Sequence, residues 1–128
     1  MRRQLVACAL AMPLMAASGV ALAHHSFAMF DAGQRTTLSG TVKEFQWVNP
    51  HSWILLMVAN PEGRLDQWAI EMGGPGRLAR QGWTPQTLTP GMQVKVDVHP
   101  LRDGTNGGQF LGAVMSDGSK LANPDPIP

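Results

Sequence analysis

Residues 51–71 read HSWILLMVANPEGRLDQWAIE, and this stretch decides the fold. Residues 51–58 form the most apolar and β-branched run beyond residue 23, long enough for a central strand. Asn60-Pro61-Glu62-Gly63 then carries turn chemistry. Beyond it, residues 64–71 alternate Leu65, Gln67 and Ala69 against Asp66, Trp68 and Ile70. Two strands joined by a tight turn are a hairpin, and the segments on either side should complete its sheet.

Upstream, residues 36–48 (TTLSGTVKEFQWV) also have strand character, with Leu38, Gly40 and Val42 on one face. Beyond Gly40 the phase shifts, so that Phe45 and Trp47 share a face. A glycine inside a strand predicts a bulge or tight bend, which a small closed barrel needs where its first strand serves two halves. Downstream, Gly73-Gly74-Pro75-Gly76 leads into RLARQ at 77–81, the one piece with helical propensity; Pro75 suits a first turn and Gly82 a stop. Residues 84–91 form a connector rich in proline and threonine. Residues 92–99 (MQVKVDVH) alternate cleanly, with Met92, Val94, Val96 and Val98 inward and His99 outward. Residues 100–108 make a glycine-rich loop, 109–116 (QFLGAVMS) a fifth strand, and 121–128 an extended, loose tail. The expected fold is mainly β: a five-stranded OB-like small barrel with one short helix between strands three and four. An immunoglobulin-like sandwich would want about seven strands.

Residues 1–23 predict a signal peptide, with Arg2 and Arg3 ahead of an apolar stretch from Leu5 to about Met15 and Ala21-Leu22-Ala23 as the cleavage site. Pro13, Ser18 and Gly19 interrupt a run already short of the ~20 apolar residues of a membrane span. The single domain is therefore expected at 24–128, periplasmic or secreted, with an extended N-terminal arm in which Phe27 and Phe30 dock against the body. Cys8 leaves with the leader, so no disulfide is expected. Loss of Arg2 and Arg3 takes the basic count from 10 to 8 against 9 acidic residues, a formal charge of −1. A near-neutral surface without a basic run argues against nucleic acid as a partner.

Cleavage after Ala23 would make His24 the first residue, followed at once by His25. A terminal histidine can chelate copper(II) through its amine and a ring nitrogen, and a second imidazole completes a T-shaped three-nitrogen set; a second route uses the amine, the intervening amide nitrogen and the His25 ring, a planar chelate that needs no help from the fold. His51, at the start of the second strand behind Asn49-Pro50, is the first choice for that imidazole; His99, beside Pro100, is the competitor. Glu71 and Asp31 could orient a ring. The plain alternative is that two histidines merely follow the cleavage site. Met29 and Met72, near loops, are the methionines compatible with copper(I), whereas Met57 and Met92 read as core.

A different class of function rests on the four tryptophans. Trp47 and Trp68, with Asn49 and Glu71 nearby, could present an aromatic face to a sugar, a quinone or a peptide, in a metal-free adaptor or small-ligand module. Trp53, inside an apolar run, is expected in the core. Enzyme motifs are thin: there is no H-E-x-x-H, no phosphate loop, and in the mature chain no cysteine nucleophile.

Several segments also carry a family likeness: His24-His25-Ser26-Phe27, Phe30-Asp31, Gly40-Thr41-Val42, then 45–51 (FQWVNPH), Trp68 with Glu71, Gly82-Trp83, Pro90-Gly91, Asp103-Gly104 and Gly107-Gly108. With these the chain resembles small exported bacterial proteins of the domain-of-unknown-function family six-one-five-two. The resemblance implies an exported single domain and gives the histidine start more weight. It implies no activity.

Overall fold

The computed structural model describes residues 27–122. After a short 3-10 turn at Phe27–Met29, six strands and one α-helix follow in order: β1 (Thr36–Gln46), β2 (Trp53–Ala59), β3 (Leu65–Glu71), α1 (Pro75–Arg80), β4 (Gln93–Pro100), β5 (Gly107–Met115) and β6 (Lys120–Ala122). The sheet order β3-β2-β1-β4-β5-β6, with an added parallel pairing of β3 to β5, closes five strands into a mixed barrel and leaves β6 outside as an extension of β5. The expected OB-like barrel is the fold found, with its short helix between β3 and β4.

β1 serves both halves. Its first part, from Thr36 to Thr41, pairs with β4, and the part from Gly40 to Gln46 pairs with β2. The register slips between Val42 and Glu44, a bulge that turns the strand from one partner to the other. Gly40 sits at the overlap of the two pairings. A Cβ there would lie 2.4 Å from the carbonyl oxygen of Met57, so only glycine permits the close approach.

Walking the register from Gln46 through Trp53, Glu71, Gln109 and His99 goes once around the barrel and returns to β1 beside Thr36, at the far end of an eleven-residue strand. The strands are therefore steeply staggered, which lets side chains fill the interior of so small a barrel. Leu38, Val42, Ile54, Leu56, Ile70, Val94, Val96, Val98 and Phe110 form that filling. Leu78 of α1, Trp83 and Leu88 cap it. Among the described residues no helix is long and apolar enough to cross a membrane.

The structure departs from the sequence reading at four places. β5 starts at Gly107, inside the segment expected to be loop, because its glycines let β5 lie flush against its neighbours: a Cβ on Gly107 would meet Leu101 Cδ1 at 2.6 Å. The expected loose tail begins as β6, paired through Leu121 and Ala122 to Ala113 and Gly112. Trp53 is half-buried, not core, because alternation buries Ile54 and Leu56 and turns Trp53 to the outer face. Met72, read as a possible copper(I) ligand, is packed in the core at 1% exposure, and Met29 is exposed.

Candidate functional site

The hairpin that decides the fold also builds the site. Ser52 N donates to Gly73 O (3.1 Å) and Met72 N donates to Ser52 O (2.9 Å), which carries the β2–β3 ladder one step past the Trp53–Glu71 pair. His51 stands at that corner, just ahead of β2 and not within it. The approach runs through a cis Asn49–Pro50 bond, and Gly74 seats closely against it, where a Cβ would lie 2.6 Å from Pro50 O.

From this corner the His51 ring reaches Glu71: Nδ1 hydrogen-bonds Oε1. The two side chains differ in exposure, 26% for His51 and 4% for Glu71. A carboxylate accepts, so the contact holds the hydrogen on Nδ1. Glu71 Oε2 is buried without a hydrogen-bond partner, as is Ser52 Oγ. Burial of a carboxylate is costly unless both oxygens are answered by donors or positive charge. Here one is answered by the imidazole and the other is not.

Glu71 belongs to a polar row on the outer face, Trp53–Glu71–Gln109–His99, with Gln109 also buried. His99 sits two strands from Glu71, roughly 10 Å by the usual strand spacing. Its ring is engaged elsewhere: Nδ1 donates to Gln34 O at 2.7 Å. The structure thus brings His51 and Glu71 together and holds His99 apart. Among the described residues no group of three or more His, Cys, Asp or Glu could hold a metal ion. His24 and His25, together with the leader, lie outside the described residues. Asp31, read as a second candidate for orienting a ring, accepts from Gly33 N and Gln34 Nε2 and stands near Arg102; no bond links it to His51 or His99 among the described residues.

Trp47 and Trp68 occupy different surroundings. Trp47 stacks edge-on against Phe45 (5.8 Å between centroids), Phe45 lies 6.0 Å from Trp83, and Trp83 meets Phe110 edge-on at 5.6 Å. Trp47 is therefore the outer end of an aromatic file that runs into the core. Trp68 instead lines a depression of about 310 Å³ with Asp31, Gln34, Thr36, Arg102 and Thr105. Asn49 is exposed on the loop before His51.

Arg102 and Gln109 were not legible as site residues. Arg102 ties down the N-terminal arm, with Nε on Ala28 O (3.0 Å) and its backbone N on Met29 O (2.9 Å). Phe30, buried and bridged to Leu101, anchors the same arm as expected; the Phe27 side chain is outside the described set.

Comparison with known proteins identifies the lineage and no more. The chain belongs to a family described as a family of unknown function (DUF6152), which matches residues 10–110. No curated protein and no solved structure matches it.

Proposed function

We propose that this chain is an exported binding protein that takes up copper(II) at the His51–Glu71 corner, completed by the amine and ring of His24 after removal of the leader. The observation that carries the reading is Glu71: a buried carboxylate with one oxygen on His51 Nδ1 and the other unanswered. A carboxylate behind an imidazole fixes the ring, makes its far nitrogen a better donor and offsets the charge of a bound cation. With Nδ1 engaged by Glu71, a metal would bind through Nε2.

The described part of the chain offers one nitrogen to this set, on His51, with Glu71 behind it, and in this reading the other two come from the terminus. Three nitrogens in a T suit copper(II) better than zinc, which prefers a tetrahedron. Such a protein would carry, deliver or sense copper in the periplasm or outside the cell.

A second reading, a metal-free adaptor or small-ligand module, rests on a separate observation, the depression at Trp68.

Copper(II) titration followed by electron paramagnetic resonance tests the first reading, on protein starting at His24, on the same protein with one alanine in front, and on His51→Ala. The expected result is a three-nitrogen spectrum, lost in both altered proteins. Loss on extension alone would mean that the terminal peptide chelates copper by itself, and would overturn the folded site.

A further inference from the structure

We propose that the depression over Trp68, on the small-ligand reading that it supports, is a saccharide-binding subsite, separate from the His51–Glu71 corner. Trp68 lies three positions before Glu71 on β3, so it faces the opposite side of the strand, inward with Ile70. Ile70 is fully buried and Trp68 is half-buried, packed against the core on one side. An inward residue that stays partly exposed marks the mouth of the barrel, where the core stops.

Three separate segments wall this mouth: Asp31 and Gln34 from the arm, Thr36 from the start of β1, and Arg102 with Thr105 from the β4–β5 connection. Their polar groups are already held. Asp31 Oδ1 accepts from Gly33 N (3.1 Å) and Oδ2 from Gln34 Nε2 (3.0 Å). Arg102 Nε donates to Ala28 O (3.0 Å), and its Nη1 lies 3.7 Å from Asp31 Oδ1. Thr105 Oγ donates to Asp103 Oδ1 at 2.7 Å. A rim fixed before the ligand arrives loses little entropy on binding.

The chemistry of this rim selects the ligand class. A flat indole offers a stacking surface, and an adjacent carboxylate, amide and guanidinium supply hydrogen-bond acceptors and donors of the kind that sugar hydroxyls use. One carboxylate against one guanidinium leaves the rim close to neutral, which does not suit a phosphate polymer. The connection between β4 and β5 is one of the loops with which barrels of this type hold oligonucleotides and oligosaccharides, and charge decides between the two. The volume, about 310 Å³, is at the small end for a ligand pocket and fits the terminal unit of a short saccharide.

The test is two-dimensional nitrogen–proton NMR of the mature protein, following the Trp68 indole during titration with cellotriose, maltotriose and chitotriose, and separately with an eight-nucleotide oligothymidine. One trisaccharide is expected to move the Trp68 indole and the Arg102 and Thr105 amides, leaving the Trp47 indole in place. Trp68→Phe and Arg102→Gln should each weaken it by about tenfold, as expected for loss of one stacking or hydrogen-bonding partner. His51→Ala should bind as the parent does, which separates this subsite from the copper reading. The Trp83 indole, buried in the core, reports that each variant is folded. The proposal is overturned if no trisaccharide moves Trp68, if the oligothymidine does so instead, or if binding survives both rim substitutions.

Discussion

His51 is hydrogen-bonded through Nδ1 to Oε1 of Glu71, twenty positions away in the chain and beside it at the open end of the same hairpin. The ring is thereby aimed by a group that is itself sealed from water. Replacement of the carboxylate by an amide keeps the shape and removes the charge. Glu71→Gln should therefore fold and weaken copper(II) binding by about 10–100-fold, the usual range for loss of a partner behind a metal-bound histidine. Isothermal titration on the parent and the variant measures it, and equal affinities would remove Glu71 from the site.

Gly40 is the position where β1 changes partners. Gly40→Ala should lower stability by about 1–3 kcal/mol, since its Cβ would press into the backbone oxygen of Met57 and backbone yields less readily than a side chain. Urea unfolding checks this; an unchanged midpoint would mean that β1 and β2 do not approach as described.

Asp97 accepts from Thr37 Oγ (2.6 Å) and from Arg35 Nη2 (2.7 Å), and these bonds, Thr37 first, hold its carboxyl below the ordinary value of 3.8. The stability it contributes is complete above that ordinary value and disappears as pH falls through the lower folded-state value. Asp97→Asn should therefore destabilise at pH 7, with the difference from the parent shrinking below about pH 4. Unfolding curves at pH 7 and pH 3 decide it: a gap that does not narrow would rule the linkage out.

Leu56 is fully buried, while Val114 is exposed on β5. Leu56→Ala should cost about 2–5 kcal/mol, and Val114→Ala should stay within about 0.5 kcal/mol. Similar losses in thermal unfolding would contradict the assignment of inner and outer faces.

Alternation and turn chemistry made the barrel legible. The Asn60–Gly63 turn sets Ala59 opposite Leu65, and counting back from it sets Trp53 opposite Glu71, so the His51–Glu71 corner was within reach of the sequence. What escaped it depends on partners distant in the chain. Gly107 and Gly108 look like loop residues until β3 lies beside them, when the lack of a side chain is what the pairing requires. β6 is three residues long and shows no pattern of its own; it is strand only because β5 offers an edge. Trp53 misled because a wholly apolar run hides its period, and only the pairing reveals which residues turn outward. Arg102 gave no signal, since its role is to grip backbone carbonyls of an arm more than seventy residues earlier in the chain.

The parallel contact of β3 with β5 closes the cylinder with three paired positions, against seven between β2 and β3. It is a short zip on a long garment, and its two strands are separated in the chain by the helix, the connector and β4. Parting there would unwrap the cylinder into a curved sheet without disturbing either hairpin. The same parting would wet Glu71 and Gln109, which face each other across it, so hydrogen exchange at Ile70 and Gln109 would report how often the polar row meets water.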